Sequence, residues 1–287
     1  MDNDGRFILQ KNVNWSLLKE GFTINVAAFE LFNTWNPSIL VHGAKQAIKI
    51  KLGDMYYDAM LVNQDFKQDV YGGHRDVLQV RYSPNSDVAK ALRTIFHNSY
   101  MYFDTQRQLL GKSKKQIALP SDLHEYIKLY FTADPGVLGI ECYTTEDYQK
   151  LASTLSSIPE EVYESTDDDK FFMQDSSASI EVKERLEKYR KIDRNVIEML
   201  KEHYEYCDEI SGEKIGSEYG DSVVEAHHID YFTRSQNNDS TNIIIISPNF
   251  HRIIHKNNPV FNRKNFQFEF ANGEVLKLKL YDHLEWR

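Results

Sequence analysis

Four of the chain's 10 histidines, His227, His228, His251 and His255, fall within 29 residues. Imidazole can take a proton at neutral pH and can bind a divalent ion, so their spacing matters. An apolar run ends in the adjacent pair His227-His228. A polar loop follows, and a second apolar run opens at Asn242-Ile-Ile-Ile-Ile246. The next stretch, Pro248-Asn-Phe-His-Arg-Ile-Ile-His255, carries two histidines four apart, one helical turn and one face. The expected order is strand, loop, strand, helix, with a metal held between strand and helix.

Those residues carry a resemblance. Val224-Glu-Ala-His-His-Ile229, Thr241-Asn-Ile-Ile-Ile-Ile246 and Pro248–His255 resemble, in order and spacing, the motif of HNH endonucleases with the ββα-metal fold, over residues of roughly 180 to 285. The resemblance implies His227, His251 and His255 as metal ligands and His228 as general base. It implies Asn242 as the residue that fixes the loop and the base. Phosphodiester hydrolysis then needs a water activated by a neutral imidazole and a cation to stabilise charge on the phosphate and the leaving oxygen. Arg252 and Lys256, beside the ligands, are candidates for neighbouring phosphates. Glu225, two residues before His227, is open to a role behind a ligand, although a solvated or structural carboxylate is the plainer reading. His42, His74, His97, His124, His203 and His283 are read as ordinary packing histidines.

One divalent ion per nuclease domain is expected, Mg or Mn from the family, with Zn or Ni favoured by imidazole ligands. Many relatives carry a structural zinc on two cysteine pairs. Here Cys142 and Cys207 are the only cysteines, and Ser211, Ser247 and Phe250 occupy the other places. No structural zinc is expected, with Phe250 and Ile243–Ile246 filling the space as core.

The elements around the motif follow from patterning. Residues 180–206 read as a long amphipathic helix, with Leu186, Tyr189, Ile192, Val196, Ile197 and Leu200 on one stripe and a basic opposite face. Phe266–Leu280 alternates about Asn272-Gly273, a two-residue hairpin signal. The net charge of −9 is concentrated: Glu160 to Glu181 holds eight acids against Lys170. The organisation expected is α+β: a recognition domain over 1–155, either α+β or a β-rich pseudobarrel, an acidic linker over 156–179, and the ββα-metal HNH nuclease over 180–287. The sharper reading of the linker is a DNA mimic covering a basic cleft. In the first domain, alternation predicts strands at Ile24–Leu31, Ala47–Leu52, Tyr56–Val62, Val77–Tyr82 and Leu138–Tyr143, and helices at Ser86–Met101 and Asp122–Phe131.

The function expected is a modular restriction endonuclease cutting double-stranded DNA at a short site. Rival readings are a nuclease directed to modified cytosine and a DNA-binding protein with a vestigial nuclease. Recognition candidates are Lys67, His74, Arg75, Lys112, Lys114 and Lys115, since Arg reads guanine and Lys meets phosphate. Tyr and Phe, 17 and 16 in number, are open to caging a flipped base. Partners expected are double-stranded DNA, a second copy of the chain and a DNA methyltransferase acting on the same site. Two cysteines and the lack of a leader or long apolar run fit a cytoplasmic protein with no membrane contact.

Overall fold

The computed structural model of the chain describes residues 6–24, 28–64, 77–111, 115–120, 122–155, 160 and 180–284. It is mixed α+β and divides into two compact units, Met1–Gln149 and Lys150–Arg287. No helix among the described residues is long and apolar enough to cross a membrane.

The first unit is built on a seven-stranded, nearly closed sheet. Its strands are β1 (Phe7–Asn12), β2 (Gly21–Ile24), β3 (Lys45–Leu52), β4 (Met55–Asn63), β5 (Leu78–Arg81), β6 (Tyr126–Phe131) and β7 (Val137–Tyr143), in the spatial order β1-β6-β7-β3-β4-β5-β2. All neighbours are antiparallel except β3 and β7. The edge strands β1 and β2 are joined through the short helix α1 (Trp15–Lys19), so the chain keeps the two edges close. Strand alternation drives closure: Ile48 and Ile50, Ala59 and Leu61, Leu78 and Val80, Leu129 and Ile140 are all buried. Where β2 approaches β5, a side chain on Gly21 would lie 1.9 Å from the Val80 carbonyl oxygen, so only glycine fits.

Three expectations for this unit are corrected. Strand β2 ends at Ile24, and a helix, α2 (Phe29–Trp35), begins within the last residues of the segment expected as strand. The helix expected over Asp122–Phe131 is strand β6, all six residues of which are buried. A strand covered on both faces loses its alternation, and Tyr-Ile-Lys-Leu-Tyr-Phe then matches helical spacing equally well. The helix expected from Ser86 starts there, with the Ser86 hydroxyl accepting from the Ala89 N–H, but it breaks at Phe96 into α3 (Asp87–Ile95) and α4 (His97–Leu110). Helix α5 (Thr145–Leu155) follows β7.

The second unit opens on α6 (Ile180–His203), whose Tyr189, Ile192, Val196 and Leu200 form a buried stripe as the periodicity predicts. Strands β8 (Glu225–His228) and β9 (Ile243–Ile246) pair antiparallel, and helix α8 (Pro248–Asn257) follows; the single turn α7 (Phe232–Ser235) lies in the loop between the strands. A three-stranded sheet, β10 (Val260–Asn262), β11 (Gln267–Glu269) and β12 (Val275–Lys277), completes the unit. Its core joins Ile244, Ile246, Ile254, Phe268 and Leu278, with Phe250 packed against it where a cysteine was missing. The hairpin at Asn272-Gly273 has a three-residue loop rather than two. Phe270 N–H donates to Glu274 O, Gly273 N–H donates to Phe270 O, and Gly273 takes φ +88. This is a turn closed by a glycine bulge, which keeps Glu269 opposite Val275.

Candidate metal centre

Strand β8 presents its two adjacent histidines to opposite faces, as the pleat requires. His227 is fully buried and meets His251, His255 and Phe268. His228 is buried too, but its ring packs on Phe232 and its Nδ1 lies 3.6 Å from Glu160 Oε1. Of the four motif histidines, the fold therefore gathers three and turns the fourth away.

Helix α8 supplies the other two ligand candidates. Pro248 starts the helix, and its missing N–H costs nothing in the first turn. Ile254 anchors the helix in the core, which leaves His251 and His255 on the face toward β8 and Arg252 and Lys256 exposed. Ring centroids of the triad lie 5.3 Å (His227–His251), 4.9 Å (His227–His255) and 4.6 Å (His251–His255) apart. One nitrogen from each residue falls within 4.8 Å of the others.

The finer geometry fits a cation. His251 Nε2 and His255 Nε2 lie 3.0 Å apart. Two imidazole nitrogens at about 2.1 Å from one ion are separated by about 3.0 to 3.4 Å, from right-angle to tetrahedral coordination. On the far side of the ring, His251 Nδ1 lies 2.7 Å from Glu225 Oε2. A carboxylate accepts only, so Nδ1 carries the hydrogen and the Nε2 lone pair faces the triad. Glu225 is thus a partner of a ligand candidate, although its side chain is still 43 % exposed.

Tyr231 forms a wall of the centre. Its ring stacks on His255 at 5.2 Å and meets His227 edge-on at 5.8 Å, while the Arg234 guanidinium lies 5.3 Å from its centroid. Neither residue was singled out from sequence, since a single Tyr and Arg in a loop carry no spacing signal.

Asn242, fully buried, ties the loop that connects β8 to β9. Its Oδ1 accepts from the Asp230 N–H (2.9 Å), and its Nδ2 donates to the carbonyls of Asp230 (2.9 Å) and Asn237 (3.1 Å). Arg263 braces the same point, donating to Asp230 Oδ2 (2.6 Å), Asn242 Oδ1 (3.2 Å) and the Thr241 carbonyl (3.0 Å). The side-chain amide of Asn242 bridges Asp230 and Asn237 within the loop, and none of these hydrogen bonds reaches the His228 ring. Arg263 was invisible in the sequence because its partners lie more than 20 residues away.

A separate polar network lies behind β9. His283 Nε2 donates to the Ile243 carbonyl (2.8 Å) and its Nδ1 meets the Tyr204 hydroxyl (2.5 Å). Tyr204 also donates to Asp282 Oδ1 (2.8 Å), and His203 Nε2 lies 2.9 Å from Asp282 Oδ2. Glu209 is fully buried, accepts from the Ile245 N–H (2.7 Å) and approaches His283 Nδ1 at 3.8 Å. Burial drives the Glu209 carboxyl well above the usual carboxylate range and pushes His283 down to about 4. Burial would also raise Asp282, but hydrogen bonds from His203 and Tyr204 bring it below its ordinary value.

The recognition candidates Lys67, His74, Arg75, Lys112 and Lys114 lie outside the described residues, as does the acidic segment apart from Glu160; Lys115 is exposed. In the first unit, Tyr126 and Tyr143 stack directly on each other at 4.8 Å, so this pair holds no gap for a base. No protein-family model, curated protein or solved structure was found to match the chain.

Proposed function

We propose that this chain is a metal-dependent endonuclease of the HNH type, cutting double-stranded DNA. In this reading the second unit carries the ββα-metal nuclease and the first unit reads the DNA. The observation that carries the reading is the convergence of His227, His251 and His255, with His251 oriented from behind by Glu225. Three neutral imidazoles on a strand and the following helix suit one divalent ion. When bound, the ion supplies charge stabilisation at the scissile phosphate and the leaving 3′ oxygen.

The chain's own residues do the rest. The motif assigns to His228 the proton of the attacking water. Its buried ring lies on the face of β8 opposite the triad, so in this reading it reaches that water only once DNA is bound, and Asn242 with Arg263 holds the loop that follows it. Arg252 and Lys256, exposed on the outer face of α8, bind phosphates on either side of the cut. Double-strand cleavage by single-metal sites calls for two copies, so the working form is a homodimer, protecting its host through a methyltransferase of the same specificity. The apolar stripe of α6 and the apolar side chains of the Phe266–Leu280 hairpin, the faces on which a second copy could dock, are largely used inside the second unit. The dimer therefore rests on the chemistry and not on those faces.

The test is digestion of methylated and unmethylated plasmid and phage DNA with Mg, Mn, Ni or Zn, followed by sequencing of the ends. Discrete ends on unmethylated DNA support the reading. Cutting confined to modified DNA transfers it to a modification-dependent enzyme, and absence of cutting with every ion overturns it.

A further inference from the structure

Glu160 belongs by composition to the acidic stretch that follows Ser156-Ser-Ile-Pro159, where a carboxylate is expected in water. It is buried instead, 6 % exposed. Its Oε1 accepts from the Phe232 N–H (2.6 Å) and its Oε2 from the Thr233 N–H (2.9 Å), at the turn just beyond β8. The third neighbour of the carboxylate is His228, whose Nδ1 lies 3.6 Å from Oε1; the two side chains are 4 % and 3 % exposed. Phe232, bonded to Glu160 through its backbone, also packs its ring on the imidazole at 5.7 Å.

We infer that Glu160 is a positioning residue for His228, fixing the ring and the nitrogen that carries its proton; this rests on the nuclease reading above. A buried carboxylate repels an imidazole lone pair and attracts an N–H. With Oε1 beside Nδ1, the hydrogen stays on Nδ1 and the lone pair belongs to Nε2, which is buried in this structure and would take the proton of water in the nuclease reading. A carboxylate behind an imidazole imposes the tautomer in the same way wherever a histidine serves as base. The two backbone amides hold the carboxylate in place, so its orientation does not depend on His228. A residue 68 positions upstream of the imidazole thereby completes the site.

The experiment compares the full chain with Glu160→Gln, which keeps the shape and one acceptor oxygen for the backbone amides. Cleavage should fall by about 10- to 100-fold in kcat, with KM and DNA affinity unchanged. In a His228→Ala background the same substitution should add no further loss, because the two residues act as one unit. An unchanged kcat, or an equal loss in the His228→Ala background, overturns the inference and leaves Glu160 as a brace for the turn. Long-range nitrogen NMR of His228 reads the tautomer without any reaction. Nδ1–H in the parent and a mixed population in Glu160→Gln supports the inference, and identical tautomers overturn it. A parent that cleaves nothing but shows this NMR difference contradicts the nuclease reading and keeps the Glu160–His228 link.

Discussion

Glu225 Oε2 sits 2.7 Å from His251 Nδ1, on the opposite side of the imidazole from His255 Nε2. The carboxylate therefore decides which nitrogen of His251 is offered to an ion. Glu225→Ala is expected to weaken Mn or Zn binding by about 10- to 100-fold while the protein stays folded. Calorimetric titration at constant pH checks this, and undiminished affinity would show that the contact is incidental.

Removing the proposed base should act on rate and not on binding. His228→Ala is expected to lower cleavage by about 10²- to 10⁴-fold, with DNA affinity within a factor of two of the parent. A comparable fall in both would mean that the buried ring serves the fold alone.

Arg252 and Lys256 project from the face of α8 away from the core. If they meet phosphates, Arg252→Ala and Lys256→Ala should each weaken binding to all sequences alike and reduce the slope of log affinity against log salt by about 1. A slope unchanged in both variants would remove them from the DNA surface.

The His283 network makes a pH prediction. Its folded value of about 4 lies below the ordinary 6.5, so the fold keeps this imidazole neutral. Stability from this group is complete above about pH 6.5, declines as the unfolded chain takes up the proton, and levels off below about pH 4. The loss amounts to about 3 kcal/mol at most. Glu209 has the opposite sign: its raised carboxyl value means that stability falls as pH rises above the ordinary 4.5. Glu209→Gln should accordingly raise the melting temperature near pH 7.5 and change it little near pH 4.5. Equal shifts at both values would show that the carboxyl is ionised in the fold.

How far the sequence discloses this structure depends on the range of the interactions. The β8-loop-β9-α8 unit was legible because its signals are local: paired histidines, an Asn before four isoleucines, and histidines four apart on a Pro-started helix. Helix α6 was legible from its apolar stripe. Strand β6 was not, because burial on both faces, even at Lys128, erases the alternation that marks a strand. The partners of the site were also hidden. Glu225 and His251 are 26 residues apart, Arg263 and Asp230 are 33 apart, and Glu160 meets Phe232 across 72, so no spacing rule links them. In each case the contact made in the fold, not spacing, reveals the role.

The two-unit organisation predicts a division of labour. A fragment of residues 150–287, which retains Glu160, should cut DNA with little site preference, whereas one of residues 180–287 should bind metal equally well but cut more slowly. Sharp sequence-specific cutting by either fragment would place recognition in the second unit.

The central claim is that three imidazoles hold the ion that DNA cleavage requires. It is tested most directly by stripping the full chain of metal and following supercoiled plasmid as Mg, Mn, Ni or Zn is restored, in parallel with His227→Ala and His251→Ala. The account predicts no cleavage without metal, saturable recovery in the parent with at least one of these ions, and none in either variant at the same concentrations. Metal-independent cleavage, or recovery in His251→Ala equal to the parent, would contradict it.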